Sequence, residues 1–491
     1  MFAIGRALVV LSLVVAEERI AAATPPSLRI GARKFRRAPA QTRNLNTTLG
    51  IVRYTRLYMR QVVSGPTKTI RGFHPTDAEL GLTDDRMTMG VLALSARMAS
   101  KMSFAEAHST TALAIPTAPS TEAIEKAVLG LGHHTENFLW TKPPPVDDGD
   151  VLVIMADAKG APMASEEELA RRRGKRSPEE RAPSPRHRGR KKRRRHGKKP
   201  RRKTGDCSKN ARNVNMVVMF TLKTSGGLLH GPINRRMYAS FASKEHAFRF
   251  ARSEADKRGF FEGSGKLIHF VTDGDNDLER YINKYFPGAV QTIDFAHAVE
   301  KLWLVGISIF EEGTPEHRTW FAKQRTRLRK GMIRKILREL RKHQAASPRT
   351  GPGAKTRHRR FDASISYLAK RASRMNYGEL IAKDMDTSTG QIEGAIKNVV
   401  AKRCDHGGMR WIKERAEAVV QLRCIELNGD WDEFIAHVHD AQRKIALTTG
   451  IIPRLQSDSP RPLPEIRNTE IRRERRRQTA LERNQRLAIA A

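Results

Sequence analysis

Residues Ile268–Trp303 read IHFVTDGDNDLERYINKYFPGAVQTIDFAHAVEKLW, and their pattern is strand, helix, strand, helix. IHFVTDG is an apolar β-type run that reaches Asp273. LERYINKYF has the apolar spacing of a short helix and is closed by Pro287 and Gly288. AVQTIDFAH is a second β-type run ending on Asp294 and His297, and AVEKLWLVGISIF returns to helical spacing. Two neighbouring strands that each end on a carboxylate present both acids at one edge of a sheet, and the carboxyl edge is where open α/β sheets bind ligands. Hard divalent cations take oxygen ligands, and Mg2+ combines one or two carboxylates with substrate phosphates. The stretch points to a metal site for phosphoryl chemistry. The plainer alternative is a turn, since Asp-Gly after a strand is ordinary turn chemistry.

The whole chain fits a phosphate-rich partner. Its 491 residues carry 91 Lys+Arg against 52 Asp+Glu, a formal net charge of +39, which implies a polyanion and most simply nucleic acid. Aromatic residues are only 6%, so phosphate contacts rather than base stacking should dominate. Cys207, Cys404 and Cys424 show neither the paired spacing of a zinc site nor a disulfide framework, as expected in a reducing cytoplasm. MFAIGRALVVLSLVV has the look of a signal peptide, but Glu17, Glu18 and Arg19 interrupt the pattern, and a cytoplasmic protein is expected. No run reaches the roughly 18 apolar residues of a membrane span.

Taken in order, residues 1–74 read as a basic, loosely ordered arm. Residues 75–140 read as short helices, with capping-box spacing at Thr76/Glu79 and Ser103/Glu106. SFAEAHSTTALAI, PTAPS and TEAIEKAVLGLG have the layout of helix, turn, helix, either a small DNA-binding domain or a helical hairpin that only packs. VLVIMADAKG is a further buried-type strand with Asp157 towards its end. Residues 171–203 carry 19 Lys/Arg against 2 Glu and cannot form a core; this reads as a disordered basic loop gripping a phosphate backbone, with Arg190, Lys191, Lys192, Arg193, Arg194 and Arg195 at its centre. Two more strands and a basic helix lead into Ile268, so 151–297 runs strand, strand, strand, helix, strand, helix, strand. That is the order of a ribonuclease H-like mixed α/β sheet. Residues 298–385 read as a basic all-helical insertion, 386–440 as the end of the core with Glu393 on a helix, and 455–491 as a charged tail. Arg410 and Trp411 open an amphipathic helix and are candidates for DNA contact or packing.

The segments FVTDGDNDL, FPGAVQTIDFAHAVEKLW, GQIEGAIKNVVAKR and GGMRWIKERAEAVVQLRCIELNGDW, in this order, resemble a bacterial insertion-sequence transposase. The resemblance is to the DDE, ribonuclease H-like kind, in the Mutator-related branch of Kra-type insertion sequences, and it runs from about Leu80 to His439. It implies a catalytic and metal-binding triad of Asp157, Asp273 and Glu393, with Asp275 and Asp277 as close competitors for the second acid. It also implies accessory roles for Asp294 and His297, in an acid, two residues, histidine pattern.

The same resemblance implies two Mg2+ ions, replaceable by Mn2+, and hydrolysis of a strand at the element end followed by joining of its 3′-hydroxyl to target DNA. The partners would be double-stranded terminal repeats and target DNA, with a dimer or higher oligomer on DNA, no membrane, and a cytoplasmic, nucleoid-associated location. Helix patterning alone leaves Glu393 open as a solvated charge, and His297 as a satisfied structural histidine. Two alternatives stand beside the transposase: an inactive DNA-binding regulator derived from one, and a ribonuclease H-like nuclease.

Overall fold

Residues 151–156, VLVIMA, contain no polar side chain, and they start the middle strand of a five-stranded sheet, β5 (Val151–Pro162). The structure is a computed structural model and describes residues 2–63, 72–164, 211–406 and 409–464. The basic run 171–203, with Arg190–Arg195, lies outside the described residues, as does Cys207. Strand β5 is flanked by β6 (Ala211–Ser225) and β8 (Leu267–Thr272), with β7 (Leu228–Ser240) and β9 (Val290–Ile293) outermost. The order is β7-β6-β5-β8-β9; β5, β6 and β7 pair antiparallel, and β5, β8 and β9 pair parallel. The chain is therefore a mixed α/β protein.

Both faces of this sheet are covered, which explains its continuous apolar runs. Leu152, Ile154 and Ala156 face one core, and Val151, Val153 and Met155 face the other. On the first face lie α3 (Met89–Lys101), α5 (Thr121–Thr141), α6 (Lys244–Lys257) and α7 (Asn276–Tyr285). The second face carries α13 (Gly390–Ile396), whose chain continues as a π-helix over Lys397–Asp405. Helix α14 (Lys413–Asn428) is buried without a break from Ala416 to Ile425 and supplies side chains to both cores.

Helix α5 is likewise a core element. Residues 127–132 are all buried, and a Cβ on Gly130 would stand 1.7 Å from the Leu455 carbonyl oxygen. The helical layout expected over 75–140 is present, with α4 (Phe104–Ala114) joined to α5 through 115–120 and a capping box at Ser103/Glu106. Buried residues of α3, α4 and α5 belong to the same core cluster as the sheet, so these helices pack against it, with the 127–132 turns of α5 buried on all sides. The cap expected at Thr76 is also absent: α2 (Pro75–Glu79) starts at Pro75, and the Thr76 hydroxyl instead donates to Glu17.

Where a loosely ordered arm was expected, residues 2–63 and 72–73 form α1 (Phe2–Ala23) and an antiparallel sheet of β1 (Ser27–Ile30), β2 (Arg33–Thr47), β3 (Gly50–Val62) and β4 (Gly72–Phe73). The reason is alternation hidden among arginines: Val52 and Tyr54 face inwards while Arg53 and Thr55 face out. The next inward position is Arg56, which pairs with buried Asp77 at 2.9 Å; Asp77 also takes Arg43 at 2.9 Å and the Tyr54 hydroxyl at 2.6 Å. Burial and that carboxylate push the Tyr54 phenol well above its usual range.

Helices α8 (Phe295–Ile309), α9 (Pro315–Arg329), α10 (Ile333–Ala346), α11 (Ala354–Lys370) and α12 (Tyr377–Ala382) form a lobe between β9 and α13. They gather around their own apolar cluster, which includes Leu302, Leu328, Ile336, Phe361 and Leu368. Helix α15 (Trp431–Thr449) is followed by an extended segment that returns to α5: Leu455 is buried in the main core, and Ser457 N donates to the Lys126 carbonyl at 3.0 Å. The described start of the expected tail is thus part of the core. Among the described residues, no helix is long and apolar enough to cross a membrane.

Candidate metal and phosphoryl-transfer site

The registers of the parallel strands decide which acids stand abreast. Met155 pairs with Val271, and Thr272 pairs with Ile293. Carrying those offsets forward sets Asp157, Asp273 and Asp294 in one row at the carboxyl ends of β5, β8 and β9. Side chains alternate along a strand, so Asp157 shares a face with Met155, and Asp273 with Val271. Met155 and Val271 both belong to the core beneath α13, the helix that bears Glu393. The row and the helix therefore converge from opposite ends of the sequence.

The three acids differ in how their oxygens are used. Asp294 is fully buried and is the N-cap of α8. It accepts from Ala296 N at 3.3 Å, His297 N at 3.2 Å, Thr389 N at 3.2 Å and His297 Nδ1 at 2.5 Å. Four donors fill the acceptor sites of a carboxylate, so Asp294 is a positioning group. With Nδ1 committed to Asp294, His297 is left with Nε2 to face a ligand, the arrangement in which a carboxylate orients a metal-binding imidazole.

Asp157 accepts from Ala158 N at 2.6 Å, and Asp273 from Asp275 N at 2.9 Å. Burial first, and then the negative charge of Asp273, push the Asp157 carboxyl upwards, while His297 and Lys244 act the other way. Asp157, Asp273, His297 and Lys244 thus share one electrostatic neighbourhood. Glu393 is exposed and accepts from the Thr389 hydroxyl at 3.0 Å. One ligand atom each of Asp294, His297 and Glu393 lies within 4.8 Å of the other two, the one such trio among the described residues.

The competitors for the second acid are otherwise engaged. Asp275 caps α7 through Asp277 N at 3.0 Å and pairs with Lys244 at 2.7 Å. Asp277 is exposed and lies 3.5 Å from Arg280. Asp273 alone of the three is in the register row.

The helical lobe holds the strand ends, which nothing local in the sequence announces. The Tyr367 hydroxyl donates to the Asp273 carbonyl oxygen at 2.6 Å, and Tyr377 to the Ile293 carbonyl oxygen at 2.9 Å. Arg371 donates to the Gly274 carbonyl oxygen through Nε at 2.8 Å and stacks 4.4 Å from the Tyr367 ring centroid. Gly274 is in the left-handed region at φ 84°, and a Cβ there would stand 2.6 Å from Arg371 Nε. A glycine is needed on both counts. Tyr367 lies in the last turn of α11 and Arg371 is its C-cap.

Trp411 and Arg410 sit beyond β5. Trp411 bridges to Met163, its Nε1 donates to the Arg403 carbonyl oxygen at 3.0 Å, and Arg403 lies over its ring at 4.9 Å. Arg403 itself is buried, donates to the Ala99 carbonyl oxygen at 3.0 Å, and is pulled down to about 10 by burial. The tryptophan thereby ties the Glu393 helix to β5. Arg410 is half-buried beside it. In comparisons with known proteins, no family model and no curated protein matches the chain.

Proposed function

We propose that the chain is a DDE-type, ribonuclease H-like transposase that cuts the ends of its own insertion sequence and joins them to target DNA. The observation that carries this reading is the register row of Asp157 and Asp273 on the sheet face that bears the Glu393 helix. Three antiparallel strands followed by helix-linked parallel strands support the ribonuclease H-like arrangement, and the lobe α8–α12 supports the all-helical insertion. The net charge of +39 supports double-stranded DNA as the partner and a cytoplasmic, nucleoid-associated location. Pairing of two element ends calls for at least a dimer on DNA.

In chemistry the donor set suits a hard cation, while the trio whose ligand atoms lie within 4.8 Å of one another among the described residues is Asp294, His297 and Glu393. Asp157 and Asp273 repel one another, and among the described residues each uses only one carboxylate oxygen as a hydrogen-bond acceptor. Asp157, Asp273 and Glu393 would hold Mg2+ or Mn2+, with His297 beside Glu393. When bound, the metal pair supplies activation of the attacking hydroxyl and stabilisation of the leaving oxygen. Asp294 keeps His297 oriented, Lys244 offsets the acids' negative charge, and Tyr367 and Arg371 hold the Asp273 loop in place for the in-line geometry.

The test uses purified protein and a labelled duplex spanning the DNA that flanks the gene, with Mg2+ or EDTA, beside Asp273→Asn. Metal-dependent nicking that is lost in the variant while binding persists is the expected result. Tight binding without cleavage under Mg2+ or Mn2+ would overturn the enzyme and leave the DNA-binding regulator.

A further inference from the structure

Behind the acidic site lies a groove of about 500 Å³ between α9 and α12. It shares a wall with the site: Phe295 follows Asp294 directly, and Phe295 N donates to the Thr387 carbonyl oxygen at 2.8 Å, two residues before Thr389 reaches Asp294 and Glu393. Phe295 and Thr387 line the groove, with Ile381 beside them. Opposite stand Arg325, Thr326 and Arg329 of α9.

The arginines of α9 divide by face. The inner face buries His317, Trp320, Gln324 and Leu328. Arg327 turns to α10 and pairs with Glu339, which also accepts from Trp320 Nε1 at 3.0 Å and Gln324 Nε2 at 2.6 Å; that arginine and that glutamate are spent inside the lobe. Arg325 and Arg329 are exposed on the outer face and have no acidic partner among the described residues. They stand one turn apart, about 6 Å along the axis, with the Thr326 hydroxyl between them. Ala322, a turn earlier, is small and leaves the helix surface open to close approach.

We infer that this groove holds the phosphate backbone of the DNA strand where it leaves the acidic site, with Arg325 and Arg329 as positioning residues. Two unpaired guanidiniums and a hydroxyl on one helix face match backbone contacts, which set register without reading sequence. The apolar floor of Phe295 and Ile381 suits the sugars between the phosphates. Anchoring the strand a few residues from Asp294 would fix the scissile bond against Asp157, Asp273 and Glu393, where small misplacements are costly. The inference rests on the transposase reading for the identity of the polymer.

The test is DNA binding by the full chain as salt is raised between about 50 and 200 mM, where each phosphate contact contributes about one unit to the log–log slope. Wild type is compared with Arg325→Gln/Arg329→Gln and with Arg53→Ala/Arg60→Ala, which removes two exposed charges from β3. The groove variant should lower the slope by about two and weaken binding about tenfold or more at the higher salt. Its thermal unfolding should match wild type, and Arg325→Glu alone should weaken binding further. A slope and affinity equal to those of the β3 control would overturn the groove. Wild type that binds but never nicks would sink the transposase while the slope change still decided the groove.

Discussion

The hydroxyl of Tyr367 donates to the backbone oxygen of Asp273 across 94 residues of sequence, at 2.6 Å. A helix of the lobe thereby holds the loop that carries a candidate catalytic acid. Tyr367→Phe removes one half-buried hydrogen bond, which should cost about 1 kcal/mol of stability. The loop it anchors should loosen, and single-turnover nicking should fall by about tenfold or more. Thermal melts beside nicking rates separate the two effects; an unchanged rate would mean that the loop is set by Arg371 and Gly274 alone.

Asp294 and Asp273 should behave as different kinds of acid. Asp294→Ala strands several donors in the interior and should destabilise the fold by about 3 kcal/mol, with or without metal. Asp273→Asn and Glu393→Gln should leave stability in EDTA within about 0.5 kcal/mol of wild type. Wild type should gain stability as Mg2+ or Mn2+ is added, because a ligand that binds only the folded state stabilises it, and those two variants should not. Urea midpoints with and without metal read all three; metal stabilisation retained in Asp273→Asn would remove that residue from the ligand set.

His269 is fully buried between β8 and β9, with Nε2 on the Thr292 hydroxyl at 2.8 Å, and burial pushes it down to about 4. The unfolded chain, with an ordinary histidine near 6.5, takes up the proton first. Stability is therefore present above 6.5 and is lost as pH falls towards 4, by on the order of 3 kcal/mol for this residue. His269→Leu should flatten that fall in denaturation midpoints measured across the window. A slope as steep as that of wild type would assign the effect elsewhere, His134 being the next candidate because burial also takes it to about 4.

Glu417 has the opposite sign. It lies wholly inside the core, accepts from the Ser240 hydroxyl at 2.6 Å and Phe241 N at 2.7 Å, and is pushed up to about 7 by burial. The folded state then holds a proton that the unfolded chain releases near 4.5. The stability from that proton is complete below 4.5 and is lost as pH rises through 7. Glu417→Gln should be more stable than wild type at pH 8, by on the order of 2 kcal/mol, and lose that advantage at acid pH. Equal melting differences at both pH values would show that Glu417 is charged throughout.

What could be read from the sequence was local. VLVIMA is a continuous apolar run and IHFVT a β-type run rich in apolar residues, so the strands and the acids following them were visible, and parallel strands with acids at the same end imply a shared edge. The N-terminal sheet was hidden because arginines occupy its outward positions, and Arg56 an inward one, giving the composition of a loose arm. AVLGLG at 127–132 carries no charge on any side, which marks a core helix rather than one offered to DNA. The contacts of Tyr367 and Arg371 with the Asp273 loop, and of Thr389 with Asp294, were out of reach because each joins elements distant in the chain, and no periodicity encodes such a meeting.

The return of residues 455–461 to α5 has a consequence for synthesis. Leu455 N donates to Asp85 at 2.7 Å, and Arg461 reaches Glu136 at 3.3 Å, so helices made early wait for a segment made late. A polypeptide leaves the ribosome from its N-terminus, and here the main core stays open until those residues emerge. Products of premature termination before Leu455 would lack a wall of that core and would be cleared as unfolded chains.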